Sequence, residues 1–255
     1  MKYCCFVVLL FVPLRVPMAV SQEFRVENTV NSGGKTTKGV TVFKEGVIYD
    51  FILPNGEITL FDRNKQEFYI LDPALRLQTS VKPDDLKQQV DELQFMLERV
   101  DSPFLNFVAS PAFDETGYEP ESGLMVFRSL WLDYEFTTRV FDDQTIAKEY
   151  FDYLLWFSRL NFRLSPSAVS ALVRAGLNPY FEKNNRFPEK VTVKLYPKGK
   201  KVLSSTTIQA DSSHLISKRL TDAETSLLKQ AEQYRQSFTA VPLDDYQKEM
   251  KKKIK

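Results

Sequence analysis

A chain of 255 residues is long enough to bury a substantial single-domain core. With 43% hydrophobic and 26% charged residues it has a globular rather than a disordered composition. Its 34 basic and 33 acidic residues leave a formal charge of +1, which excludes the strongly basic footprint of a nucleic-acid partner. Two cysteines and one histidine exclude most thiol and transition-metal chemistry, so no cofactor and no metal is expected.

Residues 1–21 read as a secretory signal peptide. Lys2 supplies the positive start, an apolar stretch runs from Tyr3 to Leu14, and Ala19 and Ser21 place small residues before a cut at Gln22. Arg15 interrupts the stretch, which is too short to span a bilayer. Removal of this segment takes both cysteines, Cys4 and Cys5, with it. The expected location is therefore the periplasm or the extracellular space.

From Phe24 onward, short alternating runs are separated by turn signals: Phe24 to Val30, Val40 to Phe43, Val47 to Leu53, Ile58 to Phe61 and Phe68 to Leu71. Lys44-Glu-Gly46 and Pro54-Asn-Gly56 are tight connections, so residues 23–72 are expected to form a five-stranded antiparallel meander. Pro83, Asp84 and Asp85 then open a helix whose apolar stripe is Leu86, Val90, Leu93, Leu97 and Val100. Three prolines between Asp101 and Gly123 suggest a long irregular loop.

The stretch 130–140 alternates most clearly, with Leu132, Tyr134 and Phe136 on one face and Asp133, Glu135 and Thr137 on the other. Asp142 and Asp143 cap a helix over 143–163, where Ile146, Tyr150, Tyr153, Phe157 and Leu160 repeat at helical spacing and Leu154 widens the stripe. Ser165-Pro166 starts a short helix ending at Gly176. Residues 191–196 and 202–210 make a hairpin, and Thr221 with Glu224 forms a capping box for a helix reaching Phe238. The expected fold class is α+β, a curved antiparallel sheet of about nine strands in an unclosed barrel, with helices packed on one face. Residues 22–242 make this single half-barrel domain, and residues 243–255 a basic C-terminal tail.

The chemistry on offer is sparse. The only histidine, His214, reads as a surface residue at a strand end, whose replacement by alanine should change stability by no more than about 0.5 kcal/mol. Ser32-Gly-Gly-Lys-Thr36 lacks the first glycine of a phosphate loop and reads as a hairpin loop. Asp133 and Glu135 form a carboxylate pair on one strand face, read as a solvated surface rather than a glycosidase pair. Five lysines between Lys248 and Lys255 allow peripheral contact with anionic lipid, although a frayed, solvated terminus is the simpler reading. The apolar side chains Leu132, Tyr134, Phe136, Tyr150, Leu154 and Phe157 form either a solid core or an aromatic-lined ligand site.

The segments Gln22-Glu-Phe-Arg-Val-Glu-Asn28, Glu45-Gly-Val-Ile-Tyr-Asp-Phe51, Ile58-Thr-Leu-Phe-Asp62, Phe68-Tyr-Ile-Leu-Asp72, Phe107-Val-Ala-Ser-Pro-Ala-Phe-Asp-Glu115 and Trp131-Leu-Asp-Tyr134 resemble uncharacterised secreted proteins of planctomycete-type bacteria. That resemblance implies a family but no activity. More loosely, the 58–72 hairpin is similar to one in the periplasmic lipoprotein-carrier (LolA-like) half-barrels. It departs from them in lacking a proline after Asp62, and the chain departs in its greater length and in having no helix before the meander. This second resemblance implies an apolar cavity that accepts acyl chains, and a lipid or lipoprotein as partner. The sequence therefore leads to an exported, non-enzymatic binding protein for a lipid, acyl chain or other apolar group. A structural or protein-interaction role with a filled core is the alternative, and an enzyme of unknown class the third.

Overall fold

The computed structural model describes residues 23–164, 172–173, 176–177, 180–181, 186–200 and 207–254. The signal segment, and most of the helix expected from Ser165 to Gly176, lie outside them.

The expected meander is present and gains a sixth strand: β1 (Phe24–Ser32), β2 (Lys35–Lys44), β3 (Val47–Leu53), β4 (Ile58–Asp62), β5 (Glu67–Asp72) and β6 (Leu77–Val81). Its connections follow from local chemistry. Gly33 and Gly34, and then Glu45 and Gly46, all take positive φ, which gives the two-residue turns whose twist suits a hairpin. The β4–β5 and β5–β6 hairpins use a different device twice. Asp62 Oδ1 accepts from the Lys65 N–H at 3.1 Å, and Asp72 Oδ1 from the Leu75 N–H at 2.8 Å. Each four-residue loop then ends on a left-handed residue, Gln66 or Arg76.

Two helices follow, α1 (Pro83–Leu97) and α2 (Pro103–Ala109), and carry the chain from β6 to the opposite edge of the sheet. There β7 (Glu115–Glu119), β8 (Leu124–Arg128), β9 (Leu132–Val140), β10 (Arg186–Leu195) and β11 (Ile208–Ser217) make a second meander that runs back toward β1. The helix α3 (Gln144–Leu164) lies between β9 and β10, which are nevertheless paired neighbours. After β11 come α4 (Asp222–Ser237), a two-residue strand β12 (Thr239–Ala240) and α5 (Leu243–Ile254).

The strand order is β12-β6-β5-β4-β3-β2-β1-β11-β10-β9-β8-β7. Every pairing is antiparallel except that of β12 with β6, so the sheet is mixed and does not close into a barrel. Among the described residues it has twelve strands, against the expected nine or so. The strands not expected are β6, β12, β7, which lies with α2 in the stretch 101–123 expected to be irregular, and β8, which follows directly after it and pairs with β7. Pro103 marks a helix start, whereas Pro111 and Pro120 lie in connections.

Alternation assigns each strand two faces. Phe24, Val26, Phe43, Ile48, Phe61, Phe68, Ile70, Met125, Phe127, Leu132 and Phe136 point inward to a large core shared with α1, α2, α3 and α5. Val40, Val42, Tyr49, Phe51, Leu60 and Leu71 point the other way and are covered by Leu228 and Ala231 of α4. Helices therefore cover both faces, not one, because the first meander is apolar on both sides and cannot leave either in water. The expected tail is also structured. In α5 the Tyr246 side chain is buried, its hydroxyl donates to Glu57 at 2.8 Å, and Lys253 pairs with the buried Asp72 at 2.9 Å.

Phe136 is wholly buried, with ring centroids 4.7 Å from Phe181, 5.2 Å from Tyr134 and 6.0 Å from Phe127. Its truncation leaves a cavity among rigid rings. We expect Phe136→Ala to lower the unfolding free energy by about 3–5 kcal/mol in urea denaturation.

Candidate binding site beneath the long helix

The helix α3 is started by Asp143, whose Oδ1 accepts from the Ile146 N–H at 3.3 Å. A hydrogen bond from Lys218 holds the Asp143 carboxyl below its usual range, so it stays ionised at the positive end of the helix. From there α3 crosses several strands. Tyr150 packs 4.9 Å from Phe187 of β10 and 6.3 Å from Phe43 of β2, while Trp156, farther along, lies 6.3 Å from Phe61 of β4.

All six apolar residues expected to line a site join one core cluster. They are not equivalent within it. Leu132, Phe136 and Tyr150 are fully buried, whereas Tyr134, Leu154 and Phe157 are half-buried. The strand and α3 are bridged by Phe181, whose ring sits 4.7 Å from Phe136 and 5.3 Å from Phe151. That part of the interior is packed. Beside it, inward-facing Val191, Val193 and Leu195 of β10 and Ile216 of β11 remain half-buried, like Tyr134. An apolar strip of the interior face is thus only partly covered.

A chain of polar groups crosses the same face. The Ser212 Oγ lies 3.0 Å from His214 Nε2, and His214 Nδ1 lies 2.8 Å from Asn28 Oδ1 and 3.0 Å from the Tyr150 hydroxyl. Asn28 Nδ2 donates to Thr41 Oγ1 at 3.0 Å, and Thr41 in turn donates to Asp50 Oδ1 at 2.6 Å. One assignment of protons satisfies the chain: a neutral His214 protonated on Nδ1, accepting from Ser212 at Nε2. Burial pushes the Asp50 carboxyl up to about 6, although its bond from Thr41 pulls the other way. Above these groups the Tyr153 side chain is buried, and its hydroxyl has no hydrogen-bond partner among the described residues. Burial, and then the nearby Asp50 charge, raise the Tyr153 phenol above its ordinary value.

His214 is accordingly no strand-end surface residue. It lies opposite Asn28 in the middle of the β1–β11 pairing. The members of the chain missed in the sequence share a readable signal. Asn28 follows Phe24 and Val26 at the next inward position, Thr41 precedes Phe43, and Asp50 follows Ile48. Each is a polar residue at an otherwise apolar phase of a period-two strand.

Ser212 and His214 have the separation of a nucleophile and its base. They sit on one strand, β11, which pairs with β1 over Ala210–Ser217 and with β10 over Ile208–Ser213. The Asp133 and Glu135 carboxylates are held on the outer face by Lys200 at 2.5 Å and Arg128 at 3.2 Å. Among the described residues no group of three His, Cys, Asp or Glu side chains is arranged to hold a metal ion. No helix among them is long and apolar enough to cross a membrane. A separate open cleft of about 440 Å³ lies between β6, α1 and α5, where Arg163 pairs with Asp244 at 3.2 Å. It includes none of the six apolar residues.

Comparison with protein-family models and with curated proteins finds no match to this chain.

Two outcomes follow from the polar chain. His214→Ala strands Asn28 and Ser212 and should cost about 1–3 kcal/mol by chemical denaturation, not the 0.5 kcal/mol or less of a surface site. For Asp50 the folded-state value lies above the unfolded one, so its contribution to stability is present in acid and is lost as pH rises from about 4 to about 6. Asp50→Asn should flatten that slope and stabilise the protein above pH 6 by about 1–3 kcal/mol, as read from unfolding curves across the range.

Proposed function

We propose that this is an exported, non-enzymatic envelope protein that holds a lipid, acyl chain or other apolar group against the interior face of its unclosed sheet, beneath α3. One observation carries the reading: the half-covered apolar strip of Tyr134, Val191, Val193, Leu195 and Ile216, lying in the same core as half-buried Leu154 and Phe157. A folded interior normally completes such contacts, because each large side chain fully removed from water contributes about 1.5–3 kcal/mol. Incomplete cover at this point supports an occupant. The unclosed antiparallel architecture agrees with the resemblance to the lipoprotein-carrier half-barrels, and the apolar N-terminal segment with export to where such carriers work.

A second reading has its own support. The Phe136–Phe181–Phe151 stack is solid packing, as expected of a structural or protein-interaction component with a filled core.

Titration with a fluorescent acyl probe separates the two. Saturable binding is expected, with Val193→Trp weakening it about tenfold or more while changing the unfolding midpoint little. Lack of saturable binding by the wild-type protein would overturn the carrier reading and leave the structural one. Native mass spectrometry of protein from its own host, retaining a bound lipid, would identify the occupant.

A further inference from the structure

We infer that the apolar ligand carries a neutral hydroxyl group, which Tyr153 and Asp50 bind together beneath α3; this rests on the binding reading above. Tyr153 is the first ground. Its side chain is 2% exposed, and its hydroxyl lacks any partner among the described residues. A buried phenol of this kind calls for an acceptor that the described residues do not supply. A phenylalanine would fill the same volume without stranding a polar atom.

Asp50 is the second ground. Its Oδ1 accepts from Thr41 at 2.6 Å, and its Oδ2 carries no hydrogen bond among the described residues. The side chain points to the interior face and is half-buried. Tyr153 stands over this place. Its ring packs edge-on to Phe43 at 5.7 Å, Phe43 and Thr41 occupy successive inward positions of β2, and Asp50 lies opposite Thr41 in the β2–β3 register. The Asp50 charge also acts directly on the Tyr153 phenol.

The two groups select a headgroup by chemistry. An anionic head, carboxylate or phosphate, would meet a carboxylate, and the surrounding inward residues Asn28, Thr41, Ile48, Thr59 and His214 include no Lys or Arg to offset it. An ammonium would pair with Asp50 but offers no lone pair to Tyr153. A hydroxyl serves both, accepting from the Tyr153 O–H and donating to Asp50 Oδ2. Long-chain alcohols, monoacylglycerols and sterol-like alcohols belong to this class.

The test uses the full exported chain and three probes with identical tails: dodecanol, dodecanoate and dodecylamine, titrated calorimetrically at neutral pH. Dodecanol should bind about tenfold or more tightly than the other two, and Tyr153→Phe should erase that preference while leaving dodecanoate binding and thermal stability unchanged or raised. Equal affinity for all three would overturn the headgroup inference and leave the binding reading standing. Preference for dodecylamine or dodecanoate would overturn it in favour of a charged ligand. Lack of binding by every probe would overturn both.

Discussion

The pairing of β1 with β11 turns two meanders into one sheet. Eight consecutive residue pairs, from Arg25–Ser217 to Ser32–Ala210, join chain segments that lie nearly the whole domain apart. Without this ladder, β1 to β6 and β7 to β11 would be separate curtains, each with an unpaired edge. With it, the inward residues of both halves share one interior, and His214 from the second half reaches Asn28 from the first. The extension of the polar chain from Asn28 to His214 and Ser212 exists only because of that seam. So does the position of α3, which packs on Phe43 from one meander and on Phe187 from the other.

Much of this was legible in the residues. The first five strands, the helix after Pro83, the strand at 132–140 and the long aromatic helix all follow from period and punctuation, because each is short in range and strongly patterned. The capping box at Thr221 and Glu224 is present, with the Glu224 carboxylate accepting from the Thr221 N–H at 2.7 Å. What escaped notice was decided by distant partners. The hairpin of β7 and β8 has few large apolar residues outside Leu124–Phe127 and is held by β9. The helix α5 reads as a lysine-rich tail until Tyr246 finds Glu57 and Lys253 finds Asp72. The role of α4 on the outer face depends on the first meander being apolar on both sides, which alternation alone understates where Tyr49, Phe51 and Leu60 read simply as strand interior.

The same limit applies to the candidate site. Leu132, Tyr134, Phe136, Tyr150, Leu154 and Phe157 were visible as stripes on a strand and a helix, but Val191, Val193, Leu195 and Ile216, which carry most of the half-covered strip, were not singled out. The site's polar members were visible only as interruptions of phase, and their meaning depended on four strands coming side by side. Asn28, Thr41, Asp50 and His214 occupy four different strands, β1, β2, β3 and β11, yet form one hydrogen-bonded line. Sequence spacing cannot announce such a line, because the residues that complete it are contributed by cross-strand register rather than by local periodicity.

The placement of α3 between two directly paired strands has a mechanical meaning. The ladder between β9 and β10 runs from Leu132–Leu195 to Val140–Arg186, and the helix is an excursion from its closed end. Displacing α3 from the sheet would break its own side-chain contacts but none of the twelve strands' pairings. The energy needed to uncover the part of the inner face beneath α3 is therefore set by that helix's contacts and not by the strand pairings.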